Sequence, residues 1–569
     1  MKTIYNFLLA GLVGCGAAMT LSSCDDMLDL KPQGSFTTEQ LKDASDDALE
    51  GLLASAYAGL ESHFIGNNEA FAGPSTNWIF DVRSDDAYKG GGGTGMEENI
   101  HLLEVSEISA DNVSGLDKWR NNYWAISRVH KAMNMFKEAG KGDSEYMSEL
   151  KVLRAWFYFD LIRIFNRIPY ATEEEDLTTK SNGEYTREEI FGFIKKDLTE
   201  AIEVLPAEKS KVGRITRTTA QAILAKVCAF LSDWQGVLTY TNAIINSQQY
   251  ALFSHFGDMS KIDYNNGSES VFALQCSTYD NYKHANWSNM LNCTYSDGNL
   301  YGQGDDFFRA SQNLVNAFRT NPSTGLPYLD GTFNKVNVTE NYNGTIDPRL
   351  DYTVGRIGFP WRGIPYTMGW VREGTYELYG EFSNKKAWPH PDLCGKVVPW
   401  GGNSLNFMFI RYADILLLKA EALIETASGS NAATDQGLVE ARNLINQIRQ
   451  RAINSIDGSY QPVDLDFSKA DYYLELYPTT GDANLVWTKE YARTALRFER
   501  RLELAMEGHR WFDLQRWGND YLVSTMNTYM TEETALRPYY QDRSVSANEI
   551  FLLVPQEEID NSNGLYKQY

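Results

Sequence analysis

The sequence predicts a mainly α-helical protein in which helical stretches at both ends of the chain form a scaffold for a long irregular middle. Three observations carry that reading. Apolar residues recur at three- and four-residue steps through the first 250 residues and again after residue 407, the spacing of one helix face. From Tyr250 to Asn406 that pattern lapses, and Gly, Asn, Tyr, Trp and Asp dominate, as they do in loops and short strands. Between Thr218 and Asn246 two helical stretches follow one another with a very short turn, so neighbouring helices form a pair.

The N-terminus comes first. Lys2 precedes a mostly apolar stretch from Ile4 to Leu21, interrupted by Gly11, Gly14 and Gly16, and then Leu21-Ser22-Ser23-Cys24. This is the layout of a secretory signal with a small-residue cleavage site, and Leu-Ser-Ser-Cys resembles a bacterial lipobox. Residues 1–23 are expected to be removed and Cys24 to carry lipid. Several acyl chains hold a protein to a membrane, each buried methylene contributing about 0.8 kcal/mol. Residues 24–40 form a polar tether. No second long apolar run follows, so the body is expected to be soluble.

Helices are expected over Leu41–Leu60, Asp117–Ala139 and Ser148–Phe165. In the third, Leu150, Leu153, Phe157, Leu161 and Ile164 make a stripe that Trp156 and Phe159 widen, which predicts deep burial. Glu188–Leu205 closes on Pro206, and Thr218–Ser232 and Trp234–Asn246 form the pair. In the middle only Phe308–Phe318 reads as helical. Ile410–Ile424, Leu438–Ile453, Lys489–Glu507 with Gly508 as its cap, and His509–Trp517 complete the helices. Ile550–Pro555 reads as extended. The expected parts are therefore 41–249, 250–406 and 407–569.

The formal charge is −23, from 52 basic and 75 acidic residues, which disfavours nucleic acid as a partner. Aromatic residues make up 13% of the chain, with 33 Tyr and 13 Trp, an excess that suits stacking on flat ligand faces. Cys228 sits in an apolar helical stretch and is expected to be a buried thiol. Cys276 and Cys293 could pair in an exported protein, but pairing cannot be deduced from sequence. No Cys/His cluster suggests a metal, and no cofactor is expected. None of the seven His stands four residues from another, so there is no HExxH helix. The glycine-rich run Gly90–Gly95 lacks the Gly-Lys-Ser/Thr of a phosphate loop. A glycosidase needs only two facing carboxylates, which 75 acidic residues can supply.

Four stretches resemble the SusD/RagB family and stand in its order: Leu153-Arg154-Ala155-Trp156-Phe157-Tyr158-Phe159-Asp160-Leu161 running on to Pro169-Tyr170; Arg214-Ile215-Thr216-Arg217; Ile410-Arg411-Tyr412-Ala413-Asp414-Ile415 running on to Ala422; and Glu499-Arg500-Arg501-Leu502-Glu503 running on to Leu514. The ending Leu553-Val554-Pro555-Gln556 fits as well. The resemblance implies tetratricopeptide-like helix pairs, an irregular ligand-binding face, an outer-membrane lipoprotein facing the cell exterior, and a SusC-like TonB-dependent transporter as partner. It implies a non-enzymatic glycan-binding protein; members that take peptides or glycopeptides are the alternative, and a surface glycoside hydrolase is a remoter one. The charged residues of the motifs are expected to pair with one another and lock helices together.

Sugars present apolar CH faces and a rim of hydroxyls, so a site needs an exposed ring beside Asp, Asn, Gln or Arg. Three loops offer this. The first has Trp78, Asp81, Arg83, Asp85 and Tyr88; the second, Tyr279–Tyr301, has Tyr282, Trp287 and Tyr295; the third has Trp361, Arg362 and Arg372.

Overall fold

The computed structural model of the chain describes residues 46–61, 78–208, 211–279, 281, 284–286, 291–295, 301–302, 304–386, 388–395, 401–457, 460 and 462–569. The expected signal peptide, Cys24 and the tether lie outside the described residues.

The longer helices of the first part are α1 (Asp46–Tyr57), α2 (Val113–Glu138), α3 (Glu145–Ile164), α4 (Arg187–Val204), α5 (Arg217–Phe230) and α6 (Trp234–Asn246). Their starts follow from side chains that satisfy orphan backbone N–H groups. Ser144 accepts from the amide of Met147. Thr186 and Glu189 cap α4 reciprocally, at 3.2 and 2.8 Å. Asp233 accepts from Gly236 at 3.0 Å, so a short turn is enough to separate α5 from α6. Leu205 before Pro206 ends α4, because the residue before proline is pushed out of helical conformation.

From α2 to α6 each helix packs on the next, the serial arrangement of a helical repeat array. The array continues in the last part: α6 packs on α7 (Tyr412–Thr426), which packs on α8 (Gln436–Asn454) and α9 (Lys489–Leu504). Helices α10 (Arg510–Arg516) and α11 (Asn519–Glu533) follow. No described helix is long and apolar enough to cross a membrane. One hydrophobic core runs from Leu49 to Val554. Every residue of α3 from Val152 to Ile164 is buried, as its wide apolar stripe predicts. The charges in it are paired: Arg154 donates twice to Asp197 at 2.7 Å, and Asp160 accepts from Arg163 at 2.8 Å.

Four short strands hold the middle in place: β1 (Ala87–Gly90), β2 (Ser270–Leu274), β3 (Phe307–Ala310) and β4 (Phe407–Arg411). β2 pairs antiparallel with β4, so the two ends of the irregular region meet in one ribbon. β1 pairs antiparallel with β3, Ala87 opposite Ala310 and Gly90 opposite Phe307. Gly90 has φ +74°, and a Cβ there would stand 2.5 Å from the Asp306 carbonyl, so only glycine lets the ribbon close.

Some boundaries differ from expectation. The stretch expected as a helix over Phe308–Phe318 divides into β3 and a short helix, Gln312–Ala317, because the Ser311 hydroxyl caps a helix that can begin only after it. Helix α9 ends at Leu504 rather than Glu507; Met506 takes φ +63° and Gly508 φ +79°. Helix α11 was not anticipated. Cys228 is buried, and Cys276 and Cys293 are both free thiols.

The C-terminal motif builds an ionic core around α9. Glu503 and Glu499 are fully buried. Glu503 accepts from Arg411 at 2.5 Å and Arg349 at 3.2 Å, and also from Arg451. Glu499 accepts from Arg349 at 2.7 Å and Arg449 at 3.1 Å. Glu269, next to β2, bridges Arg411 and Arg451 at 2.8 and 3.1 Å. Lys386 reaches Glu507 at 2.5 Å. On the other side Arg500 holds Asp513 at 2.9 and 3.0 Å, and Lys226 of α5 reaches Asp414 of α7 at 2.6 Å. Burial raises the Glu507 carboxyl, but Arg411 and Lys386 outweigh it and hold the group at about 2; Arg500 and Arg516 do the same for Asp513, also about 2. Burial, then Lys226, lowers His509 to about 3.

Two outcomes are expected. Replacing Glu503 by Ala removes one buried carboxylate partner from each of three guanidiniums and destabilises the protein by about 3–5 kcal/mol in urea unfolding; removing exposed Lys196, which lies 3.9 Å from Glu200, changes stability by less than about 0.5 kcal/mol. Stability also falls with acid in two steps. Between the usual histidine pKa of 6.5 and about 3, the unfolded chain protonates His509 while the folded protein does not. Between 4.5 and about 2, Glu507 protonates in the unfolded chain first, so its contribution, full above 4.5, is lost as pH falls. A flat unfolding free energy from pH 6.5 to pH 3 would refute this account.

Candidate ligand-binding surface

The first candidate loop lies inside the protein. Trp78 and Asp81 are buried within a short helix, Trp78–Val82, and Arg83, Asp85 and Tyr88 are buried beyond it. Their partners come from the far end of the chain. Asp85 accepts two bonds from Arg510 at 2.7 and 2.8 Å. Asp86 accepts from Arg501 at 2.8 Å, and Asp81 from the Gly508 amide at 2.6 Å. Burial raises Asp85, but Arg501 and Arg510 bring it to about 2. Arg83 lies 4.0 Å over the Trp511 ring, and burial lowers it to about 9. The Tyr88 hydroxyl donates to Glu533 at 2.5 Å. Trp78 packs at 5.6 Å on Phe308 and lines a cavity of about 60 Å³. Asp81, Arg83, Asp85 and Tyr88 join this segment to the turn after α9, to α10 and to α11, and Trp78 packs on β3; all five are buried rather than presented on the surface, which corrects the expectation.

Trp361 and Arg362 are corrected in the same way. Trp361 is fully buried in a second aromatic cluster with Tyr301, Tyr366, Trp370 and Trp388, and its indole N–H donates to the Tyr301 hydroxyl at 2.7 Å. Arg362 meets Asp464 at 2.8 Å and donates to the carbonyls of Trp388 and Lys385 at 2.9 and 2.8 Å. Tyr282 and Trp287 lie outside the described residues.

The remaining pair is brought together. Arg372, from the third loop, stacks 5.1 Å from the ring centre of Tyr295, from the second. Tyr295 is half-buried. Arg372 also pairs with Asp305, and both stay partly exposed. The Arg372 amide donates to Asp306 at 3.2 Å. Asp306 is buried, which raises its carboxyl against the pull of Arg309. The Cys293 carbonyl accepts from the Asp306 amide at 2.8 Å, and a Cβ on Gly304 would come within 2.2 Å of that carbonyl, so glycine lets the two strands of chain touch. The result is a ring, a guanidinium fork and a carboxylate on one surface. The Gly90–Gly95 loop flanks it: Gly92 lies against Arg372, and Lys89 orders the loop by donating to the carbonyls of Gly93 and Met96 at 2.7 and 2.5 Å.

The same second loop carries Tyr279, which is fully exposed. Its base is fixed. Ser277 and His284 bridge across it, the Ser277 amide donating to the His284 carbonyl at 2.6 Å. Asn406 accepts from the Cys276 amide at 2.9 Å, and Gln275 and Asn266 exchange bonds at 2.8 and 3.0 Å. His284 meets Glu61, just after α1, at 3.3 Å. Beside this base lies a cleft of about 350 Å³ lined by Tyr57, Leu274, Gln275, Arg214 and His284, within the size range of small-ligand sites. Neither Tyr279 nor Asp305 was singled out from sequence. The signal for Asp305 was available, an acidic pair following two glycines, Gly302-Gln303-Gly304-Asp305-Asp306.

Burial and exposure separate the candidates by stability. Trp361→Ala is expected to lower unfolding free energy by about 3–5 kcal/mol, whereas Tyr279→Ala shifts it by less than about 0.5 kcal/mol; thermal and urea unfolding of the two variants read the difference.

The SusD family model matches residues 268–569, and a second family model, described as starch-binding associating with outer membrane, matches residues 43–229. The chain is 24% identical over 553 residues to a SusD-like protein of Bacteroides ovatus, covering 92% of this chain and 84% of that one. Its fold is similar to a SusD superfamily protein from Bacteroides vulgatus, with TM-score 0.67, 20% identity, and 92% and 98% of the two chains covered. It is also similar to surface glycan-binding protein A from Bacteroides thetaiotaomicron in complex with laminarihexaose, with TM-score 0.64, 20% identity, and 92% and 99% covered. With its last 302 residues, from 268 to 569, matched by one family model, more than half of its length, the chain belongs to the SusD family.

Proposed function

We propose that this protein binds glycan at the cell surface, without catalysis, and passes oligosaccharide to a SusC-like TonB-dependent transporter while anchored to the outer membrane by lipid on Cys24. The observation that carries the reading is Tyr279, a fully exposed ring on a loop whose base is pinned by amide side chains. An exposed ring offers a flat apolar face to a sugar, and the partly exposed Tyr295, Arg372 and Asp305 offer a second ring with donors and an acceptor for hydroxyls. Family membership and the glycan named for a structural neighbour support the ligand class. The Leu-Ser-Ser-Cys sequence supports the anchor.

Affinity gel electrophoresis of the chain without its first 24 residues, against a panel of polysaccharides that includes laminarin, tests this. One or more glycans should retard the protein. Tyr279→Ala, or Tyr295→Ala with Arg372→Ala, should weaken retardation about tenfold or more. Retardation by no glycan, with binding of peptides instead, would replace the ligand class. Slow release of product from a retained glycan, abolished by one carboxylate substitution, would replace binding by hydrolysis.

A further inference from the structure

A pocket of about 290 Å³ lies between two helix faces that would be expected to close on each other. Thr494, Arg497, Phe498 and Arg501 project from α9 at helical spacing, and Tyr521, Ser524, Thr525 and Thr528 project from α11 in the same way. They are held apart. Arg501 is committed to Asp86 at 2.8 Å, and Arg510 occupies both oxygens of Asp85 at the pocket floor. The third guanidinium is different. Arg497 forms no close ion pair with a described carboxylate; it bonds the Tyr521 side chain, and Glu421 and Glu425 act on it from farther away. It lies 4.3 Å from the Tyr521 ring centre and 4.8 Å from that of Trp517, so two aromatic rings fix the plane of its fork. Ser524, Thr525 and Thr528 of α11 line the same pocket, and their hydroxyls make no hydrogen bond to another described residue. Phe333 and Phe498 form an edge-on pair, 5.5 Å apart, on the pocket's apolar side.

An oriented guanidinium without a carboxylate takes an anion in a two-pronged hydrogen bond, and carboxylate fits that fork. Free hydroxyls in the same pocket suit a ligand with hydroxyls of its own, and the phenylalanine pair suits an apolar ring face. The chain as a whole carries a charge of −23; in this pocket Asp86 and Asp85 balance Arg501 and Arg510, and Glu532 on the lining lies 3.8 Å from Lys335, which leaves Arg497 as the lining cation not paired with a carboxylate among the described residues. From this geometry we infer that the cleft between α9 and α11 is a second ligand site, for the carboxylate of an acidic sugar residue held by Arg497. The site is separate from the loop surface and does not depend on the glycan reading of Tyr279.

Isothermal titration of the protein with D-glucuronate, D-glucose and inorganic sulfate tests the inference. Glucuronate is expected to bind, glucose to give no heat at this site, and sulfate to compete with glucuronate. Arg497→Gln should weaken glucuronate about tenfold or more with the melting temperature unchanged, and Arg497→Lys should fall between, keeping the charge but losing the fork. The double variant Ser524→Ala with Thr528→Val keeps every charge and should weaken glucuronate but not sulfate, which also serves if the Arg497 variants fail to fold. Tyr279→Ala should leave glucuronate binding intact, so failure of the loop reading and failure of this one are distinguishable. Equal binding of glucose and glucuronate, binding of sulfate alone, or undiminished glucuronate affinity in Arg497→Gln overturns it.

Discussion

Two carboxylates one turn apart on α9, Glu499 and Glu503, hold four arginines that reach them from separate parts of the chain. Arg349 comes from the irregular middle, Arg411 from the end of β4, and Arg449 and Arg451 from α8. Charges this deep are costly to bury, and they are tolerated only when each finds a partner of opposite sign and its remaining hydrogen bonds. That condition leaves little freedom. Once α9 is in place, the position of α8, the end of the β2–β4 ribbon and the segment around Arg349 are all specified, because displacing any one of them breaks a buried ion pair. Apolar packing at the same positions would tolerate sliding; a bidentate guanidinium does not.

The same device ties the two ends of the molecule. Asp81, Asp85 and Asp86 follow the first helix closely in sequence, yet their partners are Gly508, Arg510 and Arg501. The helical array from α2 to α6 grows by contacts between sequence neighbours, as repeat arrays do. The segment before it is joined to α9 and α10 by long-range ion pairs, and within the array Lys226 of α5 meets Asp414 of α7. Local packing thus builds the array, and charge pairing sets where the segment before it docks.

This rigidity matters to the loops. The middle region leaves the scaffold at β2 and returns at β4, with both ends in one ribbon, and the amides of Gln275, Asn266 and Asn406 knit the base of the Tyr279 loop to it. The exposed Tyr279 ring is therefore held close to a fixed platform, an arrangement that lowers the entropy lost in binding. Loops on rigid scaffolds commonly carry binding for this reason.

Most of the longer helices and the family were legible in the sequence, because periodicity and the motif around Glu499–Leu514 are local or contiguous signals. So was the pairing of motif charges, since arginines and carboxylates on helices this apolar have little else to bond. The exposure of the candidate binding residues was not. Trp78, Tyr88 and Trp361 have the residue type and loop setting of ligand contacts, and tertiary packing put them in the interior against Phe308, Glu533 and Tyr301. Tyr279 has the same residue type and was left outside. Whether an aromatic side chain stacks on a sugar or on the core depends on which surfaces lie across from it, and those surfaces come from segments tens to hundreds of residues away. Which elements form and which charges need partners can be read along the chain; which rings face solvent follows from the assembled fold, because burial is a property of the assembled surface and not of the residue.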